Sequence, residues 1–181
     1  MDGRYVEVRT KETNLGNFFC DIIMSAVEAD CALLNGGAFR SDRIHPAGPF
    51  KLRDLRDILS FESELVVVEL TGKELHEVLE AGVEKYHDIG GRFPQVAGIF
   101  FTYDPSRAPG ERVDSKFVKI QGEYLDFNEN YLLATNTFMK SVNETLKKCP
   151  VKVSFLNYLI TIINLPILSI KIKNTVFLVL Y

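Results

Sequence analysis

The amino-acid sequence predicts an α+β fold. Predicted helices and strands alternate through the first half of the chain, whereas the later predicted strands follow one another without helices between them. The first pattern requires a mixed α and β domain, and the second favours segregated elements over a doubly wound sheet. The chain has 181 residues, of which 46% are hydrophobic, so it can bury the core of one domain, or of one domain plus a tail.

The N-terminal elements are predicted from periodicity and capping residues. Val6–Arg9 alternates between apolar and polar residues, which is typical of a short strand. Thr13-Asn14 offers a helix cap, and apolar residues then recur at helical spacing, so a helix is predicted to run to about Ala29. The apolar run Cys31–Asn35 predicts a buried strand, and it leads into the turn residues Asn35-Gly36-Gly37.

The middle of the chain combines loops with clear helix and strand patterns. Ser41–Phe50 contains two prolines and predicts a loop, and Leu52–Leu59 predicts a short amphipathic helix. Leu65–Leu70 predicts a strand, and the capping box Thr71–Glu74 begins a further helix. A second glycine-rich loop follows, and the remaining strands are predicted at Val96–Tyr103, Phe117–Ile120 and Tyr131–Thr135.

Charge and cysteine content exclude several classes of protein. The net charge of -3 is too small and of the wrong sign for a protein that binds a nucleic-acid polymer. The three cysteines are odd in number and widely spaced, so no disulfide framework is predicted, and Cys20 and Cys31 are interpreted as small buried residues. The N-terminus has no apolar segment of the kind found in secretory signals, and the compartment stays unknown.

The C-terminal residues differ in composition from the rest of the chain. Residues 150–181 hold three lysines and no acidic residue, so residues 1–149 carry a net charge of -6. Ser154–Ile170 is mostly apolar but contains two asparagines and a proline, which makes it a marginal candidate for a membrane span. The alternative is a segment that was never selected to fold with this domain, such as translated AT-rich non-coding DNA. The predicted organisation is a domain over residues 1–140 and a divergent hydrophobic tail over residues 141–181.

Motifs for a self-contained catalytic centre are absent from the sequence. His45, His76 and His87 have no HxH, DxH or HExxH neighbours, so each is interpreted as structural or solvated. The sequence also contains no GxSxG, Walker or GxGxxG motif. No catalytic or metal-binding residue is predicted in this chain.

Four residues suit a nucleotide-binding surface by their chemistry. Arg9 and Arg40 follow predicted strands, where a guanidinium group can bind phosphate through two hydrogen bonds. Asn35 carries a donor and an acceptor suited to a base edge, and Phe61 stands in a polar stretch where its ring can stack on a base. Solvated arginines, an ordinary turn and a core phenylalanine are the competing interpretation.

Three ordered motifs resemble the C-terminal domain of the 5′-nucleotidases. They are Arg9-Thr-Lys-Glu-Thr-Asn-Leu-Gly-Asn17, Leu34-Asn-Gly-Gly-Ala-Phe-Arg-Ser-Asp42 and Gly91-Arg-Phe-Pro-Gln-Val-Ala-Gly98, and Tyr131–Phe138 extends the likeness. The resemblance covers about residues 5–139 and implies a layered α/β/β/α domain with a mixed sheet that is incomplete at its C-terminus.

The resemblance also implies roles for particular residues. Arg9 and Arg40 match arginines that contact the phosphate end of the substrate, and Asn35 matches an asparagine that bonds the base. Phe61 and Phe138 match the two aromatic residues that sandwich the base, and Gly91 falls in a loop that approaches the ligand.

The sequence departs from the family pattern in two places. After Phe138 the family has a GGDG segment whose aspartate holds the ribose hydroxyls, whereas here Glu144 stands near that offset without the glycines. The family's separate N-terminal metallophosphatase domain, which holds two divalent metal ions and the catalytic residues, has no counterpart in these residues. Cofactors are therefore not expected in this chain itself.

The resemblance implies the nucleotide-recognition half of a hydrolase that cleaves phosphate esters in nucleotide catabolism, and this chain alone is predicted to be inactive. A metallophosphatase domain is the expected partner in a complete protein. The alternatives are a non-catalytic module that binds a nucleotide or docks a partner, and a truncated or mispredicted gene product.

Overall fold

The computed structural model describes residues 1–59, 64–155, 170–172 and 175–177. The helices in these ranges are α1 Tyr5–Val8, α2 Asn14–Ala26, α3 Leu52–Ile58, α4 Gly72–Val83, α5 Thr137–Val142 and α6 Glu144–Lys148. The strands are β1 Cys31–Asn35, β2 Leu65–Thr71, β3 Pro94–Ala97, β4 Ile99–Phe100, β5 Lys119–Ile120, β6 Glu123–Tyr124, β7 Asn130–Asn136, β8 Val151–Phe155, β9 Ile170–Ile172 and β10 Thr175–Phe177. Single 3-10 turns occupy Gly36–Ala38 and Ser115–Phe117.

The main sheet has five strands in the order β3-β1-β7-β2-β8. β1 and β7 are parallel, whereas the β1–β3, β2–β7 and β2–β8 pairs are antiparallel. A separate antiparallel sheet contains β4, β5 and β6, and β9 pairs with β10. The mixed main sheet confirms the predicted α+β class.

The main sheet separates two hydrophobic cores. Ala32 and Leu34 of β1 face one core together with buried residues of α2 and α3, and Cys31 and Leu33 face the other core together with those of α4. Successive side chains of a strand point to opposite faces, so β1 is buried on both of its faces. This double burial explains why its sequence is a continuous apolar run instead of an alternating one.

Several predicted elements are confirmed. The strands predicted at Cys31–Asn35, Leu65–Leu70 and Tyr131–Thr135 are β1, β2 and β7, and the helix predicted at Leu52–Leu59 is α3. The predicted capping box begins α4, since Glu74 Oε2 accepts from the Thr71 amide at 2.8 Å while Thr71 Oγ1 accepts from the Glu74 amide at 3.3 Å. The termini of these elements agree with the sequence prediction to within a residue or two.

The strand predicted at Val6–Arg9 is wrong, because this segment is the one-turn helix α1. The Val8 amide donates to the Arg4 carbonyl at 3.0 Å and the Arg9 amide donates to the Tyr5 carbonyl at 3.1 Å. Val8 is fully buried, whereas Val6 is 57% exposed. An alternation over only four residues does not distinguish a strand from a turn of helix.

Three further elements differ from the prediction. Helix α2 ends at Ala26 and not near Ala29, since Glu28 has a left-handed φ of 51°. The predicted strand Val96–Tyr103 is divided at Gly98, where φ is 69° and an added Cβ would lie 2.6 Å from the Asp30 carbonyl oxygen. The chain therefore leaves the main sheet after β3 and enters the small sheet at β4. The strand predicted at Phe117–Ile120 is confined to β5, because Phe117 belongs to a 3-10 turn.

The segment after β7 folds against the second core. Leu146 of α6 is fully buried and Cys149 is 4% exposed. Lys140 Nζ donates to the carbonyls of Leu146, Lys147 and Cys149 at 2.8, 3.1 and 2.9 Å, which satisfies carbonyls at the C-terminal end of α6. β8 then adds to the outer side of β2 in the main sheet.

The apolar run 154–170 lies mostly outside the described residues, which end at Phe155 and resume at Ile170. Among the described residues, no helix is both long and apolar enough to cross a membrane.

Candidate functional site

Three strands bring polar residues to one edge of the main sheet. β1 ends at Asn35 and its parallel neighbour β7 ends at Asn136, so both amides lie at the same edge. Antiparallel β3 begins at this edge, since Pro94 pairs with Asn35. We call Asn35, Asn136, the turn 36–40 and the loop 89–91 the site edge.

Asn35 connects the two glycine-containing loops of the site edge. Its side chain is 6% exposed, and its Nδ2 donates to the Gly91 carbonyl at 3.1 Å. Asn136 Nδ2 donates to Asn35 Oδ1 at 3.3 Å. An asparagine amide has two donor hydrogens and two acceptor lone pairs, so one of each remains beyond these two bonds.

Gly37 and Gly91 meet backbone to backbone. The Gly37 amide donates to the Gly91 carbonyl at 2.9 Å. Gly91 has a left-handed φ of 92°, and a Cβ added to it would lie 2.7 Å from Gly37 Cα. Only glycine fits this position without moving the neighbouring loop.

Arg9 projects from the end of α1 toward this contact. Its Nη1 donates to the Ile89 carbonyl at 2.9 Å, and its guanidinium carbon lies 3.9 Å from the ring centre of Tyr5. Its Nε is buried and makes no hydrogen bond within the described part of the chain. A Cβ on Gly91 would lie 3.9 Å from that Nε, so Arg9 borders the glycine contact.

Arg40 borders the same contact at Gly37. Its residue is exposed, and its Nη1 lies 3.4 Å from the Gly37 carbonyl oxygen, to which it donates. The Arg40 amide donates to the Ile58 carbonyl at 2.8 Å, which holds its backbone against the end of α3. Arg9 and Arg40 thus flank one pair of glycines.

Phe138 stands on α5 next to the site edge. Asn136 Oδ1 accepts from the Met139 amide at 2.6 Å, so the residue that bonds Asn35 also caps the helix that carries Phe138. The Phe138 side chain is 52% exposed. Phe61, the other predicted stacking residue, lies outside the described residues.

Comparisons with known proteins agree with the motifs. The model of the family described as "5′-nucleotidase, C-terminal domain" matches residues 2–148. This chain belongs to that family. The match confirms the resemblance predicted from the three motifs.

Relatives of known name show how much of a longer protein this domain spans. The trifunctional nucleotide phosphoesterase YfkN of Bacillus subtilis is 38% identical over 146 residues, which are 77% of this chain and 10% of that protein. The 5′-nucleotidase of Bos taurus is 34% identical over 126 residues, which are 62% of this chain and 22% of that protein.

A solved structure gives the same correspondence. The 5′-nucleotidase precursor of Thermus thermophilus superposes with a TM-score of 0.75 at 33% identity, over 82% of this chain and 31% of that one. The chain therefore spans between a tenth and a third of the length of these relatives.

Gln95 is a buried residue of this 5′-nucleotidase C-terminal domain whose structural role next to Arg9 was not predicted from the sequence. It is fully buried, and its Nε2 donates to the carbonyls of Val8 and Lys11 at 2.9 and 2.7 Å. Its Oε1 accepts from the Thr13 amide at 3.0 Å. A Cβ on Gly16 would lie 1.9 Å from Oε1. The sequence did contain a signal, since Gln95 stands next to apolar residues at the start of a predicted strand. A glutamine buried there needs several hydrogen-bond partners.

Cysteine and acidic side chains add no further chemistry to the site edge. Cys20 and Cys31 are fully buried, which confirms their interpretation as small buried residues, and this burial raises the pKa of both thiols. Glu144 is exposed and paired with Lys147, which lowers the pKa of its carboxyl group. No group of three His, Cys, Asp or Glu residues in the described ranges is arranged to hold a metal ion.

Proposed function

We propose that the site edge binds a nucleotide, with the phosphate between Arg9 and Arg40 and the base against Phe138. The observation that carries the proposal is the placement of two arginines around one backbone contact, with an exposed aromatic ring on the adjoining helix. Phe61, Asn35 and Gly91 complete the proposed site.

The phosphate end is proposed from charge and donor geometry. Arg9 uses Nη1 on Ile89 and keeps Nη2 without a hydrogen bond among the described residues. Guanidinium groups bind phosphate through paired N–H donors. Because the guanidinium is planar and rigid, this binding costs little side-chain conformational entropy. Two such groups on one loop pair supply a doubly charged site for an anionic group.

The base end is proposed from stacking and from the remaining amide capacity of Asn35. Phe138 presents its ring to solvent at the edge where β7 ends. Leu65, the first residue of β2, pairs with Asn136, so β2 also begins at this edge. A base stacked on an aromatic side chain gains about 1–3 kcal/mol. Asn35 retains one donor and one acceptor for the edge of that base.

We propose that in a complete protein this domain presents its nucleotide to a metallophosphatase domain carrying two divalent metal ions. The names of the relatives support a hydrolase of nucleotides. Arginines and stacking rings orient a substrate, whereas hydrolysis of a phosphate monoester also needs an activated water and a Lewis acid. The residues of this chain would bind and orient the substrate.

Calorimetric titration of the 181-residue chain with AMP and with adenosine tests the nucleotide site. We expect both to bind and AMP to bind more tightly, because only AMP reaches the arginines. Arg40→Ala is expected to reduce the preference for AMP, because only Arg9 then remains to bind the phosphate, and Phe138→Ala is expected to weaken both ligands by about tenfold.

Phe117→Ala is the matched control for Phe138→Ala. Phe117 is exposed to a similar extent, 55% against 52%, but it lies on the turn before β5, away from the site edge. Equal losses from the two variants, or no binding of either ligand by the wild-type chain, would contradict the proposed site.

Phosphate release from AMP in the presence of Mg²⁺, Mn²⁺ or Zn²⁺ tests the proposal that this domain binds the nucleotide and a separate metal domain hydrolyses it. We expect no turnover by this chain alone. Turnover that Arg40→Ala abolishes would show that a separate metal domain is not required.

A further inference from the structure

Tyr5 contacts both arginines that flank the glycine contact. Its ring lies under the Arg9 guanidinium at 3.9 Å. Its hydroxyl donates to the Arg40 carbonyl at 3.0 Å, and its amide donates to Asp42 Oδ1 at 2.7 Å. One residue of α1 therefore reaches the side chain of one arginine and the backbone of the other.

The Arg9 side chain has few other restraints. Its guanidinium makes one hydrogen bond, from Nη1 to the Ile89 carbonyl, among the described residues. The buried Nε has no hydrogen-bond partner there. A single bond allows the guanidinium plane to rotate, whereas an aromatic face against the plane fixes its tilt through the attraction of a cation for the ring.

The Arg40 backbone is tied to α1 by the same tyrosine. Arg40 and Asp42 lie on an exposed loop, and Asp42 has a left-handed φ of 47°. The hydroxyl and amide of Tyr5 bond to this loop at Arg40 and at Asp42, which fixes its distance from the start of α1. Tyr5 thus contributes to the separation of Arg9 from Arg40, together with the bond of the Arg40 amide to the Ile58 carbonyl.

We infer that Tyr5 is a positioning residue that sets the orientation of Arg9 and its separation from Arg40 before a phosphate binds. The inference rests on the proposed function for its ligand, a nucleoside monophosphate. Tyr5 itself needs no contact with the ligand. A phosphate between two arginines that are already placed loses less binding energy to the ordering of side chains.

The test compares Tyr5→Leu, Tyr5→Phe and Tyr124→Leu in the 181-residue chain. Tyr5→Phe keeps the ring under Arg9 and removes the hydroxyl bond to Arg40. Tyr124→Leu is the matched control, because Lys119 Nζ lies 4.4 Å from the ring centre of Tyr124 in the small sheet. Each variant is titrated with AMP and with adenosine. The Nε–H resonance of Arg9, assigned with Arg9→Lys, is recorded by NMR without ligand.

We expect Tyr5→Leu to weaken AMP about fivefold and to leave adenosine within about twofold of wild type. Tyr5→Phe is expected to give a smaller loss, and Tyr124→Leu none. The ring-current shift of the Arg9 Nε–H should disappear in Tyr5→Leu and persist in Tyr5→Phe.

Two results would overturn the inference: an Arg9 resonance that Tyr5→Leu leaves unchanged, or equal losses for AMP and adenosine, which would indicate a structural role alone. If the wild-type chain binds neither ligand, the proposed function fails. The Arg9 resonance then decides by itself whether Tyr5 positions that side chain.

Discussion

At the site edge, the amide side chains of Asn35 and Asn136 are buried and hydrogen-bonded, whereas in the small sheet β4–β6 large aromatic side chains are exposed to solvent. Asn35 and Asn136 are 6% and 1% exposed. Asn35 Nδ2 donates to the Gly91 carbonyl, and Asn136 Nδ2 donates to Asn35 Oδ1. Phe100 and Tyr124 of the small sheet are 60% and 67% exposed. The buried amides join distant segments at the site edge, while in the small sheet a long-range bond is made by an exposed side chain, that of Gln121, whose Nε2 donates to the Asp30 carbonyl.

The two regions also contain the same local features in different surroundings. A cation lies over a tyrosine ring in both, as Arg9 over Tyr5 and as Lys119 over Tyr124. A glycine has a φ of 92° in both, Gly91 at the site edge and Gly122 in the turn between β5 and β6. Because the cation–ring pair and the glycine conformation are the same in both regions, the same substitution in each region measures how much the surrounding residues contribute to its effect.

The largest expected effect is that of Gln95→Met. Methionine fills a similar volume but leaves the Val8 carbonyl, the Lys11 carbonyl and the Thr13 amide without this partner. A buried polar group left unpaired costs about 1–3 kcal/mol, so we expect a loss of about 4 kcal/mol in the free energy of unfolding by urea. Arg9 lies between the bonded residues Val8 and Lys11, so AMP binding should weaken too.

Gln121→Asn is the control in the small sheet. Gln121 is exposed, and its Nε2 donates to the Asp30 carbonyl at 2.6 Å. Its φ is 53°, which asparagine tolerates. We expect a loss of about 1 kcal/mol. Similar losses for the two variants would show that buried amides do not distinguish the regions.

Leu146→Ala tests whether helices α5 and α6, which follow β7 at the site edge, belong to the folded domain. Leu146 is fully buried in the second core, so its truncation should cost about 3 kcal/mol in unfolding free energy. Val142 is 50% exposed in the same segment, and Val142→Ala is expected to change stability by less than about 0.5 kcal/mol. Urea unfolding followed by circular dichroism measures both.

The domain boundary near residue 140 stays a prediction, and this pair of variants tests it. If Leu146→Ala is as mild as Val142→Ala, residues 141–149 contribute nothing to the core and the boundary stands. The expected difference would move the boundary beyond Leu146.

Gly91→Ala compared with Gly122→Ala separates backbone strain from crowding. Both glycines have a φ of 92°, but a Cβ at Gly122 meets nothing within 4 Å, whereas one at Gly91 lies 2.7 Å from Gly37 Cα. The left-handed conformation alone costs about 1 kcal/mol, which is the effect expected for Gly122→Ala. Gly91→Ala should lose about 2 kcal/mol more, because two backbones must separate.

The titration of Gly91→Ala with AMP extends this comparison to function. Separation of the two loops should also weaken AMP, since Arg9 and Arg40 flank them. Equal unfolding free energies for the two alanine variants would contradict a tight contact at the site edge.

The sequence alone predicted the elements that are buried on both faces and the helices that begin with a capping box. β1 is a continuous apolar run, and the start of α4 is marked by Thr71 and Glu74. Those signals are local, so they can be read without knowing the partners. Arg9, Arg40 and Asn35 were predicted from their chemistry and from the family resemblance, and Gly91 from the resemblance alone; in the structure these four lie around the contact of Gly37 with Gly91.

Long-range contacts account for what the sequence did not predict. Val6–Arg9 was assigned to a strand from the alternation of its residues. The assignment was wrong because an alternation of four residues carries no information on hydrogen-bond partners. Gln95 and Tyr5 act on residues 82 and 35 positions away, through bonds to Thr13 and to Arg40, and no local pattern marks such pairs. The division of the strand at Gly98 likewise depends on the carbonyl of Asp30, which is close in space but distant in the sequence.

The smallest expected effect is the pH dependence of the stability that His45, in the loop that follows Arg40, contributes to the fold. His45 is 6% exposed, and its ring nitrogen Nε2 lies 2.8 Å from Ser41 Oγ. Burial lowers the pKa of His45, as do the positive charges of Arg43 and the N-terminus, while Asp57 and Asp54 act in the opposite direction. The folded protein therefore binds this proton less readily than the unfolded chain. Its contribution to stability is present at neutral pH and is lost as the pH falls below about 6.5.

Melting temperatures of wild type and His45→Gln at about pH 7.5 and about pH 5 measure this contribution. We expect wild type to exceed His45→Gln at the higher pH and the gap to narrow at the lower pH. His87→Asn is the control, since His87 is exposed on the loop before Ile89 and has a φ of 79°, which asparagine accepts. If the difference in melting temperature between wild type and His45→Gln is the same at both pH values, His45 is protonated equally in the folded and the unfolded chain. This result would show that burial leaves the proton affinity of His45 unchanged, which contradicts the prediction.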